Sequence, residues 1–330
     1  MKIVRLILLI LHIGIFCLLL GVVLNAYIPP KIFPGFNILA LGFPLLIGSY
    51  ILLTLFWLFN WKKRTIVFLL LALIFTNPVK RWINYSSGQK GDFDLKVVSF
   101  NVKGGKYGEN NIEDYINSLD ADLVLFQEYS PKDYHFKGLE HKSENLLVAT
   151  FSKYKIIDQK NLIESDYETN NAYAGQTDIE IKGRIFRIIN VYLQPFKFEK
   201  SMVKLEGNSE EDEKKLKDVL RRLVPTFKKH QEQIEPITKA IENSPYPVIL
   251  AGDLNSVPSS YEYYHISEGL RDAFVQAGNG SATSFHDYKF PLRIDYIFSS
   301  ETLKATSYHV DRSVKLSDHY PVMTTFKIEK

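Results

Sequence analysis

The first 82 residues alternate between long apolar runs and short basic breaks. Between Arg5 and Lys31 lie 25 uncharged residues, and between Lys31 and Lys62 lie 30. Each exceeds the ~20 residues an α-helix needs to cross a hydrocarbon core about 30 Å thick. A third run, Thr65–Val79, has 15 uncharged residues. At ~1.5 Å per residue it covers about 22 Å, so it spans with its flanking Lys and Arg side chains reaching to the interface. The pattern predicts three transmembrane helices, about 6–28, 36–60 and 63–81, with Ala26–Phe36 as a Pro-containing connector. Trp57, Trp61 and Trp82, all the tryptophans of the chain, fall at predicted span borders, where indoles favour the interface. The first run is longer than the apolar core of a signal peptide and two more runs follow it, which predicts an uncleaved helix.

The period then changes. Residues 83–92 are polar and glycine-containing and read as a linker. Beyond them short apolar segments recur at Leu95–Phe100, Leu123–Gln127, Leu146–Phe151, Thr177–Ile181, Ile185–Leu193, Val248–Ala251, Ile294–Phe298 and Val322–Ile328. Helical spacing intervenes at Ile112–Leu119 and Glu213–Glu242, and the mixed-charge stretch Glu206–Asp218 reads as a solvated helix start or loop. Strands alternating with helices predict one α/β layered domain over 93–330, behind an anchor over 1–82.

Charge sharpens this division. Residues 1–91 hold nine Lys/Arg and no acid, leaving 31 of the 40 basic residues against all 37 acids in the remainder, a balance of −6. Such a domain lacks the broad basic footprint of a strong nonspecific nucleic-acid binder. Lys2/Arg5 and Lys62-Lys63-Arg64 belong on one, cytoplasmic, side, so a third crossing places the domain on the outer face, the periplasmic face of a bacterial inner membrane. The single cysteine, Cys17, rules out a disulfide framework and a cysteine-based metal site.

Polar residues gather at strand ends. They occur in Ser99-Phe-Asn101-Val, Phe126-Gln-Glu128, Gly252-Asp253-Leu-Asn255, Arg293-Ile-Asp295-Tyr-Ile and Ser317-Asp318-His319-Tyr-Pro-Val. Asp253 and Asn255, two apart on an extended chain, leave their strand on the same side. Any one of these has a bland reading as a cap, turn or surface residue. Together they supply hard oxygen donors and one partnered histidine, a set suited to Mg²⁺, or Mn²⁺, better than zinc.

These five motifs, in this order, resemble the endonuclease/exonuclease/phosphatase superfamily over about residues 94–328, and the anchor resembles that of membrane-bound bacterial members. The resemblance implies a four-layer α/β sandwich, two mainly antiparallel sheets face to face with helices outside and the site at one rim. It implies Glu128 as principal metal ligand with Asn101 near the metal and Asp318 beside metal or phosphate. It further implies Asp253 as the group that orients and deprotonates the attacking water, Asn255 as a hydrogen-bond donor to the scissile phosphate, and His319, oriented by Asp295, on a phosphate oxygen. Many members carry Asn-x-His-Leu on one strand; here the run is Asn190-Val-Tyr192-Leu193. Tyr192 can donate a hydrogen bond to phosphate but cannot carry positive charge.

The resulting expectation is a membrane-anchored, Mg²⁺-dependent, nuclease-like phosphodiesterase whose partners are a phosphate-ester substrate and the lipid bilayer. A second reading takes phospholipid, sphingomyelin or phosphoinositide as substrate. A third, a catalytically silent membrane module, is disfavoured because every motif retains its polar residues.

Overall fold

In the computed structural model, residues 2–86, 88, 91–132, 134–165, 171–198, 207, 209–287 and 292–329 are described. Two six-stranded sheets make up the body of the domain. In spatial order the first runs Leu303–Val310, Val322–Ile328, Leu95–Asn101, Leu123–Gln127, Val148–Ser152, His141–Glu144. The second runs Arg271–Asp272, Asp295–Ser299, Val248–Asp253, Arg184–Tyr192, Tyr173–Ile181, Ile156–Ile163. Neighbours are antiparallel except for one central parallel pair in each sheet, Leu95–Asn101 with Leu123–Gln127 and Arg184–Tyr192 with Val248–Asp253. A parallel pair needs a crossover. Helices Glu109–Leu119 and Ser209–Glu242 supply the two crossovers.

Period-two alternation sorts the side chains into layers. On one strand Leu95 and Val97 enter a cluster that also holds Ile179, Phe186, Ile188, Ile249 and Ile297 of the other sheet, so this cluster is the inside of the sandwich. The alternate residues Val98 and Phe100 pack outward with Ile112 and Ile116 of the first crossover helix. On the second sheet Ile189, Val191 and Leu250 face outward onto Ile234 and Ile237 of the long helix. Four layers follow: helix, sheet, sheet, helix.

Three N-terminal helices are long and apolar enough to cross a membrane: Lys2–Leu24, Phe43–Asn60 and Lys63–Trp82. The predicted span over 36–60 is broken. A short helix, Gly35–Leu41, precedes Phe43–Asn60, and Gly42 with Pro44 at the start of the longer helix accounts for the break. Trp57 lies near the end of its helix. It is fully buried in the helix bundle, its Nε1–H donates to His12 Nδ1 at 3.1 Å, and the Arg64 guanidinium lies 4.8 Å over its ring.

The first residues of the segment expected to be a linker are structured. Ile83–Tyr85 pairs antiparallel with Asn279–Ser281, and the buried Asn84 amide donates to the carbonyls of Phe274 and Val275 at 2.9 Å. Residues 87, 89 and 90 of that segment, and Glu206 and Asn208 of the mixed-charge stretch, lie outside the described residues. Ser209–Glu242 begins four residues before the predicted start at Glu213, within that same stretch.

Candidate active site

The topology brings the polar strand ends to one rim. The two parallel pairs all end there, at Asn101, Gln127, Tyr192 and Asp253, with Glu128 following Gln127 directly. Antiparallel neighbours begin there: Asp295 is registered opposite Asp253, and Val322, three residues after His319, opposite Ser99. Two buried amides tie the sheets together just behind the rim. Gln127 Nε2 donates to Asn190 Oδ1 at 2.8 Å, and Asn190 Nδ2 donates to the carbonyls of Phe126 and Ala149. Gly252 lets the strand pair close up. Its φ is +148°, and a β-carbon there would sit 1.9 Å from the Val191 carbonyl oxygen. Only glycine fits.

Asp253 is 1% exposed and held on both oxygens. The backbone N–H of Asn255 donates to Oδ1 at 2.8 Å and the Asn101 amide to Oδ2 at 3.0 Å. Asn101 Nδ2 also donates to Glu128 Oε1 at 3.1 Å, so this side chain bridges the two carboxylates. Its oxygen is turned away and accepts from the Lys103 backbone N–H. Asn101 therefore presents its nitrogen, and not a ligand oxygen, to the carboxylates. Tyr192 hydroxyl donates to the same Glu128 Oε1 at 3.2 Å. Burial, and then the neighbouring Glu128 and Asp253 charges, push its pKa far up, so it stays a neutral donor.

His319 is also buried. Its Nδ1 lies 2.8 Å from Asp295 Oδ2, and its Nε2 lies 3.8 Å from Asp253 Oδ2. Burial works against the imidazolium, but Asp295 and Asp253 outweigh it and raise the pKa to about 10. Burial first, and then Asp295, raise that of Asp253, with His319 opposing. One ligand atom from each of the three groups lies within 4.8 Å of the others. With Asp295 on Nδ1, the Nε2 edge of His319 is the one turned toward Asp253.

Asp318 and Asn255 each make a further contact at this rim. Asp318 forms an ion pair with Lys103 Nζ. Burial opposes its ionisation, but His319 and Lys103 overcome that and lower its pKa. Lys103 was absent from the sequence reading. Lys103 is itself at φ +46°, followed by Gly104 at +64° and Gly105 at +70°, and in sequence this reads as an ordinary solvated turn. Asn255, itself at φ +46°, spends one amide hydrogen on the Leu193 carbonyl at 2.8 Å. A separate cavity of about 500 Å³, lined by Glu144, Asn145, Glu164 and Tyr173 among others, contains none of these residues.

Which groups suit a metal ion can be read from the donors. Both hydrogen bonds to the Glu128 carboxylate fall on Oε1, leaving Oε2 with no protein partner among the described residues. Asp295 Oδ1 is buried and likewise unpartnered. Oxygen donors at Glu128 and Asp253, without any sulfur, fit a hard divalent cation. The Asp253–Asp295–His319 group is less suited, since His319 already bonds Asp295 through Nδ1.

Comparison with known proteins agrees with this geometry. The family model described as Endonuclease/Exonuclease/phosphatase family matches residues 98–319, and one described as a domain of unknown function (DUF8431) matches residues 5–82. No curated protein matches the chain. Among solved structures, a functionally unknown conserved protein from Enterococcus faecalis is similar at 17% identity and TM-score 0.52, over 71% of this chain and 100% of its own. An endonuclease/exonuclease/phosphatase from Beutenbergia cavernae is similar at 16% identity and TM-score 0.50, over 72% of each chain. A family protein from Bacteroides thetaiotaomicron is similar at 18% identity and TM-score 0.50, over 70% of this chain and 97% of its own. The chain belongs to the endonuclease/exonuclease/phosphatase family and is a metal-dependent hydrolase of phosphate esters.

Proposed function

We propose that this protein is a membrane-anchored, Mg²⁺-dependent phosphodiesterase in which residues 1–82 form the anchor and residues 93–330 the catalytic domain. The observation that carries the reading is the convergence of Glu128, Asn101, Asp253, Asp295 and His319 on one rim. Glu128 would hold the ion through its free Oε2, and the bound cation would polarise the phosphoryl group. Asn101 and Tyr192 fix the Glu128 carboxylate by hydrogen bonds to Oε1. Asp253, fixed by Asn255 N–H and Asn101 and made more basic by burial, takes the proton of the attacking water. His319, oriented by Asp295, donates from Nε2 to a phosphoryl oxygen whose charge grows during attack. The second amide hydrogen of Asn255 and Lys103 Nζ are the remaining donors for phosphate.

Three crossings are supported by where the helices meet the domain, and the Lys/Arg placement in the sequence puts that side outside. The C-terminal end of the first, the N-terminal side of the second and the C-terminal end of the third all contact the domain, as an odd number of crossings requires. The functional test assays detergent-solubilised protein, with Mg²⁺ or with chelator, against DNA, RNA, sphingomyelin and phosphoinositides. Mg²⁺-dependent turnover of at least one is expected. Loss of none of it in Asp253→Asn and His319→Ala would refute the site assignment.

A further inference from the structure

The anchor does not hold the catalytic domain on a free tether; it is built into the rim of the active site. Val257 and Ile294 belong to the same apolar cluster as Leu19, Phe43 and Trp57 of the helices. Ile294 is the residue before Asp295, and Val257 comes four residues after Asp253. Phe285 packs on that cluster and meets the His319 ring edge-to-face, centroids 4.9 Å apart.

Buried polar contacts fix the same junction. Asn25, at the end of the first helix, donates to the Ser259 carbonyl at 3.0 Å. Asn37 donates to the Glu262 carboxylate at 3.0 Å and accepts from Tyr261 N–H at 2.9 Å. Glu262 in turn holds His230 Nδ1 at 2.9 Å. At the end of the third helix Arg81 donates to Ser259 Oγ, and its carbonyl accepts from the fully buried Arg293, which pairs with Asp272 at 2.7 Å. Asn25, Asn37, Glu262 and Arg293 are each at most 1% exposed.

Asp253 is thus six residues, at most about 22 Å of extended chain, from Ser259, which Asn25 holds at the domain-side end of the first helix. Asp295 is one residue from the helix-packed surface. Packed against the domain-side ends of helices that would cross the membrane, the rim would lie beside the lipid headgroups, a zone about 5–8 Å deep on each side of the hydrocarbon core. A long polyanion would have to lie along that surface, against the repulsion of anionic lipid and beside a domain with net negative charge. A lipid already has its phosphate at that depth.

Resting on the phosphodiesterase reading, we infer that the substrate is a membrane lipid, and that the bond cut is a phosphodiester of its headgroup. Water oxygen bonds to phosphorus as one of its protons passes to Asp253, the P–O bond to one alcohol breaks, and that proton passes on through the site to the departing oxygen, the water's other proton staying on the new phosphate oxygen or leaving to solvent. A diester and water give an alcohol and a phosphate monoester.

The test places the full chain, with Mg²⁺, in nanodiscs of phosphatidylethanolamine, phosphatidylglycerol and sphingomyelin, which leave both faces open to solvent. Bis-p-nitrophenyl phosphate and a single-stranded oligonucleotide are supplied in the buffer. Mass spectrometry of the lipids should detect new diacylglycerol, ceramide or phosphorylated fragments, with the oligonucleotide spared. Asn25→Ala combined with Asn37→Ala loosens the junction and should lower lipid turnover about tenfold or more, leaving bis-p-nitrophenyl phosphate hydrolysis within about twofold. The wild-type comparison decides the matter even where that double variant fails to fold. Hydrolysis of bis-p-nitrophenyl phosphate or the oligonucleotide with disc lipids intact overturns the lipid assignment and leaves the phosphodiesterase reading standing. No turnover of any of the three overturns both.

Discussion

At the residue scale, the departure at Tyr192 has a chemical consequence. A histidine at this place could contact phosphate as a cation, whereas the tyrosine is neutral and bonds Glu128 Oε1 at 3.2 Å. In the proposed site its role is to orient the carboxylate that would hold the metal. Partners of this kind change metal affinity by about 10–100-fold when removed. Tyr192→Phe is therefore expected to raise the Mg²⁺ concentration for half-maximal activity by about that factor, with kcat at saturating Mg²⁺ nearly unchanged. A Mg²⁺ titration of rate checks this; an unchanged midpoint would detach Tyr192 from the metal. The sequence motifs name Asp253, Glu128 and His319 because carboxylates and imidazoles at buried strand ends need a reason. They do not reveal Lys103, since a lysine beside two glycines looks like any solvated turn. Nor do they reveal which end of the Asn101 amide faces Glu128, which depends on the Lys103 N–H across a two-residue turn.

At the element scale, the strands that carry the site are locked at their far ends by charge. Asp94, just before Leu95–Asn101, accepts from Lys182 Nζ at 2.7 Å and from the Ile328 backbone N–H at 3.0 Å. The Lys182 hydrogen bond, and then that of Ile328, lower its pKa to about 2. A carboxylate depressed on folding stabilises above its unfolded pKa of ~3.9, and that contribution is lost as pH falls through the folded value. Asp94→Asn should therefore melt below wild type at pH 6, and the gap should close between pH ~4 and ~2. Thermal-shift curves across that range check it; a gap that widens toward acid would reverse the sign. Period-two patterning made the long central strands legible, since Leu95, Val97, Val98 and Phe100 face two different cores. It missed His141–Glu144, Ile156–Ile163 and Leu303–Val310. The first two are edge strands and half-exposed, so no apolar run marks them. The third is also an edge strand, and a bulge between Ala305 and Ser307 breaks its alternation.

At the scale of the whole molecule, the sequence divides the chain by charge and hydropathy, but the structure joins what that division separates. The polar Ile83–Asp92 reads as a tether because Asn84 and its neighbours look solvated; its first three residues are a paired strand, and Asn84 is buried on the Phe274 and Val275 carbonyls. Docking of this kind depends on contacts between positions some 180–235 apart, such as Arg81–Ser259 and Asn25–Ser259, which local pattern does not carry. The account predicts that a reporter fused after Lys330 is active outside the cytoplasm only. A reporter active in the cytoplasm would overturn the three-crossing arrangement. The central claim is that the rim formed by Glu128, Asp253 and His319 hydrolyses phosphodiesters with a divalent cation. Its most direct test is the rate of bis-p-nitrophenyl phosphate hydrolysis by purified full-length protein, with Mg²⁺ and with chelator, for wild type and Asp253→Asn. The account predicts Mg²⁺-dependent turnover by wild type and a loss of about a hundredfold or more in the variant. Equal rates in the two proteins, or turnover that survives chelation, would contradict it.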